Sequence, residues 1–365
     1  MAIKLLCILL FIILDSNNNL NNLLSQTHVI DSYSENVYVT LFQSIIHDNP
    51  LAEILLGDVQ YHQTKEVSTY ENETKYTLNL ESSLVNIFCI HNGNNKTRTT
   101  TGSGFFIEPS GIIMTNAHVA QFFLLTDLEN YIKTTCTIQT GNPTKNKFIA
   151  ELLYIPPSWV LNNTTSISES RPSGTGEHDY ALLYVKKSYN NEPLPTHFPS
   201  LEIDTTPLTI ENISNIVSLA GYPSNNKITA KNSLSKSKQV ILEGKITEIF
   251  TFSRNLADLI TIDGLKLAEH GLSGGPVFNN RGHVIGMVTT KGENKQKRTD
   301  SIRAITMPYI EQNLIQETGL SLKEYKSSNL NARSKIFHKT LVPFYQAILL
   351  EEWNKSFLLF PALGI

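Results

Sequence analysis

The chain has 365 residues, 41% hydrophobic and 17% charged, a globular composition with room for one large domain or two modest ones. Thirty Lys and Arg against thirty-three Asp and Glu leave a formal charge of −3 with no basic block, so nothing electrostatic supports a nucleic-acid partner. At the N-terminus, MAIKLLCILLFIILDSNNN sets one lysine before a ten-residue apolar run, Leu5 to Leu14, and then turns abruptly polar. That is the layout of a secretory signal peptide, and it is short for a spanning helix. No small-x-small cleavage site follows. Residues 1–20 therefore read as a signal peptide or an N-terminal anchor, with membrane attachment left open. The expected location is the periplasm, the extracellular space or the outer face of the membrane. Cys7 has no small residues ahead of it, which argues against a lipid-anchored cysteine. No later stretch reaches about 18 uninterrupted apolar residues, so no second span is expected. Residues 21–79 form a leader or spacer rich in Asn, Ser and Thr, with one amphipathic stretch, Val37 to Leu56, interrupted by Pro50.

From about residue 80 short β-like runs alternate with turn residues. The first group is LVNIFCI (84–90), GSGFFIEP (102–109), GIIMTNAHV (111–119), TTCTIQT (134–140), FIAELLYI (148–155) and DYALLYVK (179–186). The second is NIVSLAGYP (215–223), KQVILEGKITEIFTF (238–252), DLITIDG (258–264), GPVFN (275–279) and HVIGMVTTK (283–291). Two such groups with few helical stretches between them predict an all-β fold of two six-stranded antiparallel β-barrels. Barrel 1 is expected over 80–190 and barrel 2 over 205–305, in a domain of 80–319. Around 306–318, MPYIEQNLIQETG has helical spacing, with Pro308 near its start and Gly319 after it. Residues 156–178 read as a long surface loop, and 320–365 as a helical tail that packs on the body.

Nucleophilic catalysis by serine needs a base within hydrogen-bond reach, a carboxylate to orient the base, and preorganised donors for the oxyanion. Ser273 sits in GLSGGPVF, where glycines at 271, 274 and 275 let the backbone approach a substrate carbonyl. There the N–H groups of Gly271 and Ser273 can converge on one oxygen. His118 follows a strand-like run in GIIMTNAHVA, and Asp179 opens an apolar strand in EHDYALLYV. Taken singly, each is better explained as a turn, capping or packed residue. Taken together, the order His118, Asp179, Ser273 divides a Ser-His-Asp set between two barrels and places it in the cleft.

TGSGFFIEPSGIIMTNAHVA, DYALLYVK and HGLSGGPVFNNRGHVIGMVTTKG resemble the motifs of chymotrypsin-fold serine peptidases, most closely the bacterial HtrA-like, trypsin-like group. RAITMPYIEQNL (303–314) is similar to the strand-to-helix exit of that domain, and the resemblance covers roughly residues 80–318. It implies a serine endopeptidase acting on polypeptides through an acyl-enzyme, without cofactor or metal. Ser273 is then the nucleophile, His118 the base, Asp179 the orienting acid, and Gly271 and Ser273 the oxyanion donors. Thr289 falls where family members place a residue beside the orienting acid, so a hydrogen bond from it to Asp179 is also expected. The substrate pocket is expected from Leu265 to His270 and Val288 to Lys291, with Leu267, Val288, Thr289 and Thr290 as lining. Leu267 near its base favours apolar side chains, although Glu269 could restore a basic preference if the loop shifts.

His178 and His270 flank candidates but lack metal-ligand partners at sensible spacing. Cys89 and Cys136 lie in strands that neighbour each other when a six-stranded barrel closes. They are either disulfide-bonded or two buried thiols. In zymogen-type relatives an acid at the position of Leu272 pairs with a newly cleaved N-terminus. Leucine cannot, so the loop is expected to be held by apolar packing with no proteolytic activation. No PDZ-like domain is expected in the residues after the protease domain, and the oligomeric state is not readable. The competing readings are a catalytically silent peptide-binding protein on the same fold, or an exported esterase. The latter is disfavoured by the lack of a G-x-S-x-G elbow.

Overall fold

The β-branched and aromatic runs form strands in a computed structural model that describes residues 62–63, 80–93, 96–126, 133–169, 176–223, 237–252, 257–265, 271–292 and 301–359. The N-terminal apolar segment, the amphipathic stretch of the leader, and Leu267, Glu269 and His270 lie outside them. Chain order begins with β1 (His62–Gln63) and α1 (Leu80–Ser83). There follow β2 (Leu84–Gly93), β3 (Lys96–Glu108), β4 (Ile112–Thr115) and α2 (Ala117–Ala120). Next come β5 (Lys133–Thr140), β6 (Lys145–Tyr154), α3 (Pro157–Asn162) and β7 (Ala181–Ser188). Strands β2 to β7 close an antiparallel barrel in the order β2-β3-β4-β7-β6-β5.

Barrel closure joins β2 to β5, strands separated in sequence by β3, β4 and α2. Their register sets Cys89 directly opposite Cys136, and the two are disulfide-bonded. The bond closes a loop of 47 residues, which by loop-closure entropy corresponds to about 4 kcal/mol of constraint on the unfolded chain.

The second barrel uses β8 (Ile216–Gly221), β9 (Val240–Thr251), β10 (Leu259–Asp263), β11 (Pro276–Phe278), β12 (Val284–Gly292) and β13 (Ser301–Thr306). All neighbours are antiparallel, in the order β9-β10-β13-β12-β11-β8, and pairing of β8 with β9 completes the ring. Both barrels therefore have six strands as expected, the sixth of barrel 2 being β13 ahead of the exit helix rather than one of the five apolar runs of the second group. One piece of the leader adds to barrel 2. Strand β1 pairs with Phe250 and Thr251, the end of β9 that β8 leaves unpaired, and so covers a sheet edge.

Helix α4 (Met307–Thr318) leaves β13 where the sequence places a helix. The Thr306 side chain caps it by accepting from the Tyr309 N–H, Pro308 sits in its first turn, and Gly319 ends it at φ 76°. Three more helices follow: α5 (Leu322–Ser327), α6 (Leu330–Thr340) and α7 (Val342–Leu359). Leu322, Tyr325, Leu330, Phe337, Val342, Tyr345 and Leu349 are buried in the same core as barrel 1. The Gln346 amide reaches the Leu124 carbonyl at 2.8 Å, in the short 3-10 turn (Gln121–Leu125) that directly follows α2. The C-terminal helices thus back the segment carrying His118.

The surface-loop expectation for 156–178 needs correction. Its first half is helix α3 and a 3-10 turn (Thr164–Ile167), and Trp159, Val160 and Ile167 are fully buried. A proline in the first helical turn and three large apolar side chains draw this stretch onto barrel 1, and residues 170–175 lie outside the described ones.

Candidate active site

Asp179 is placed by a sharp bend ahead of β7. Gly176 has φ 98° and His178 φ 55°, and the His178 N–H is held by the Tyr309 hydroxyl at 3.0 Å from α4. His118 sits in the single turn of α2, where Asn116 has extended φ and ψ and donates its amide to the Asp179 carbonyl at 2.9 Å. These anchors bring two residues 61 apart in sequence into contact. The His118 backbone N–H meets Asp179 Oδ1 at 3.0 Å, and His118 Nδ1 lies 2.8 Å from Asp179 Oδ2.

Thr289 supplies the third donor, its hydroxyl lying 2.6 Å from Asp179 Oδ2. It can do so because β12 bulges there: Val288 pairs with Ala304 and Thr290 with Arg303, leaving Thr289 as the extra residue. A bulge re-aims the side chain and frees the backbone from the ladder. The freed Thr289 carbonyl accepts the Ser273 hydroxyl at 3.2 Å. One residue therefore links Ser273 to Asp179 and, through Asp179, to His118.

Asp179 is fully buried and His118 is 4% exposed. Burial alone pushes the Asp179 carboxyl up. The charge of His118 and the hydrogen bonds from the His118 ring, the Thr289 hydroxyl and the His118 amide outweigh it and hold the carboxyl below the usual range. An ionised Asp179 keeps a proton on His118 Nδ1 and leaves Nε2 as the basic nitrogen.

The 271–275 turn is shaped by close approach. A side chain at Gly274 would lie 2.0 Å from the Ser103 carbonyl oxygen, and one at Gly275 would lie 2.1 Å from that of Ala220. Gly271 takes φ 96° and Gly274 φ 86°, conformations that only glycine adopts freely. Leu272 points the other way and is 1% exposed among the apolar residues of barrel 2. The loop is thus held by apolar packing.

Not every expected pocket residue faces a pocket. The Thr289 hydroxyl makes the expected bond to Asp179. Val288 is 3% exposed and packs in the barrel 2 core. Thr290 lies in β12 with its side chain outside the described residues, as are Leu267 and the rest of 266–270. His178 lies 3.6 Å from Glu317, on α4. Among the described residues no group of three His, Cys, Asp or Glu side chains is placed to hold a metal.

Sequence reasoning missed Ser103. It is fully buried in β3, on barrel 1, yet it makes three of its bonds to barrel 2. A hydroxyl between two glycines in a strand was the available signal, since glycines there mark close backbone approach.

A family model described as a trypsin-like peptidase domain matches residues 102–287, more than half of the chain. No curated protein matches significantly. Among solved structures, the active form of the Rv3671c protease from M. tuberculosis is similar at 20% identity over 66% of this chain and 82% of that one, with a TM-score of 0.38. Deg5 is similar at 16% identity over 65% and 90%, with a TM-score of 0.40. The matched span runs from the glycine before Ser103 through β12 and takes in His118, Asp179 and Ser273, and with the two closed barrels it places this chain in the trypsin-like peptidase family, as a serine peptidase.

Proposed function

We propose that the chain is an exported serine endopeptidase that hydrolyses peptide bonds through Ser273, His118 and Asp179. The observation that carries this reading is the bond from His118 Nδ1 to a buried Asp179, with Thr289 tying the same carboxylate to Ser273. In the first step the Ser273 hydroxyl turns about its χ1 from the Thr289 carbonyl toward His118 Nε2, a change on the scale of a rotamer flip. Its oxygen attacks the scissile carbonyl carbon as Nε2 takes the proton. Asp179 stabilises the imidazolium that forms and stays ionised. The carbonyl oxygen becomes an oxyanion, received by the N–H groups of Gly271 and Ser273; one such donor contributes on the order of 3–4 kcal/mol in comparable enzymes. Collapse of the tetrahedral intermediate breaks the C–N bond, and the imidazolium protonates the leaving amine. Water, deprotonated by His118, then hydrolyses the acyl-enzyme.

Export is supported by the lysine and apolar run at the N-terminus and by the Cys89–Cys136 disulfide, which suits an oxidising compartment. No helix among the described residues is long and apolar enough to cross a membrane. Leu267 supports a preference for apolar side chains in the substrate.

Serine-directed fluorophosphonate tests the chemistry. The wild-type chain is expected to label to one probe per molecule, and Ser273→Ala not at all. Equal labelling of the two defeats the assignment and favours a silent peptide-binding protein. A separate expectation follows from Leu272, which fills the barrel 2 core where an ion pair to a new N-terminus would otherwise hold the loop. Intact protein should hydrolyse a fluorogenic peptide at the same rate per labelled site as protein cut near residue 80. Activity appearing only after the cut overturns that expectation.

A further inference from the structure

Ser103 makes an unusual set of bonds for a strand residue. Its hydroxyl donates to the Gly271 carbonyl at 2.6 Å and accepts the Tyr222 N–H at 2.8 Å. Its own N–H donates to the Ser273 carbonyl at 2.8 Å, and its carbonyl accepts the Thr115 hydroxyl at 2.7 Å. Of these partners Gly271, Ser273 and Tyr222 belong to barrel 2, whereas Ser103 and Thr115 belong to barrel 1. A further bond inside the turn runs from the Gly275 N–H to the Leu272 carbonyl at 2.8 Å. The carbonyls of three successive residues, 271, 272 and 273, are therefore all engaged, two of them by Ser103.

A trans peptide points its N–H opposite to the carbonyl of the preceding residue. With the Leu272 carbonyl turned inward to Gly275, the Ser273 N–H faces outward. A flip of the Leu272–Ser273 peptide, by rotation about ψ of Leu272 and φ of Ser273, would reverse it. Ser103 holds the carbonyl on each side of the Leu272–Ser273 peptide, so the flip would have to be accommodated between two fixed points. The clamp is rigid because the space is full. A side chain built on Gly221 would lie 2.7 Å from the Ser103 hydroxyl oxygen, and one on Gly274 would lie 2.0 Å from its carbonyl oxygen.

We infer that Ser103 is a positioning residue for the oxyanion site: barrel 1, through the hydroxyl and the backbone N–H of this one residue, holds the Gly271–Ser273 turn of barrel 2 in its donor-outward orientation. The inference rests on the proposed serine-peptidase reading and adds a residue that does not touch substrate. It acts in the transition state, where negative charge develops on the carbonyl oxygen, and leaves ground-state binding of the peptide nearly unchanged.

The test compares wild-type, Ser103→Ala and Ser103→Cys full-length protein, with rates counted per site titrated by fluorophosphonate so that misfolded molecules drop out. Removing an oxyanion donor outright costs about 10²–10³ in kcat, and loosening its support should cost about 10- to 100-fold in Ser103→Ala. KM should stay within about twofold, and affinity for a peptide boronate, which mimics the tetrahedral intermediate, should fall by the same factor as kcat. Ser103→Cys, with a weak thiol donor, should recover part of both losses. If the alanine variant does not fold, the cysteine variant carries the same comparison against wild type. Unchanged kcat and boronate affinity overturn the positioning role while leaving the Ser273 chemistry intact. So does a fall in kcat with no fall in boronate affinity. A wild-type chain that fails to label at Ser273 overturns both.

Discussion

Asp179→Asn should lower kcat by about 10⁴-fold while the fold survives, the magnitude expected when the orienting acid of such a set becomes an amide. The reason lies in the three donors that converge on this carboxylate. Oδ1 accepts the His118 backbone N–H, which cannot become an acceptor. An asparagine must therefore keep its carbonyl oxygen at that position and put its NH₂ group where Oδ2 stood. That NH₂ then faces His118 Nδ1 and the Thr289 hydroxyl. The hydroxyl can rotate to accept, but His118 can accept only by moving its proton to Nε2. Nε2 is the nitrogen that must take the proton of Ser273, so the base is lost without any change in shape. Turnover of a fluorogenic peptide and thermal melting together check this. A loss below about tenfold, with melting unchanged, would show that His118 does not depend on Asp179 for its tautomer.

The second large effect is acid destabilisation centred on His91. This histidine is fully buried on β2, with Nδ1 3.1 Å from the Thr134 hydroxyl and Nε2 3.1 Å from that of Thr100. Burial, and secondarily the charge of Arg98, push its pKa from an ordinary 6.5 to about 3. Between those values the unfolded chain binds a proton at this site and the folded chain does not, so stability falls as pH falls. The contribution is complete above pH 6.5 and is lost progressively down to about pH 3. At about 1.4 kcal/mol per pH unit, the whole window amounts to roughly 4–5 kcal/mol. Asp179, held below the ordinary carboxylate range, adds its own loss only below about pH 4, where unfolded carboxyls protonate. Other carboxyls, among them Glu177, which burial pushes up, also titrate near the lower end of this range, so urea midpoints from pH 7 to pH 4 are compared between wild type and His91→Gln. His91→Gln should be less stable at pH 7 but flatter across this range. A variant with the same acid slope as wild type would rule His91 out as the cause.

Much of the architecture is written locally. Each apolar run bounded by turn residues became a strand or part of one, since alternation and β-branched content describe a pleated, buried surface without reference to the rest of the chain. Helix α4 was equally legible, because Pro308 and Gly319 act within one turn of its ends. The segment 156–178 was misread because its polar composition masks Trp159, whose burial depends on what barrel 1 offers it. Leu267 and its neighbours lie outside the described residues, so the pocket stays an expectation from sequence.

The amino-acid sequence by itself determined the strand-forming segments, the exit helix, and the candidates His118, Asp179 and Ser273 in their turns, all consequences of side-chain pattern over a few residues. Only the tertiary structure decided which distant atoms meet. Closure of β2 on β5 put Cys89 opposite Cys136, and a bulge in β12 set the Thr289 hydroxyl on Asp179 and its carbonyl on Ser273. Docking of one barrel on the other brought the Ser103 hydroxyl to a carbonyl 168 residues away. Register and docking are set by how whole barrels close and pack, and a change of one residue in either would redirect every such contact.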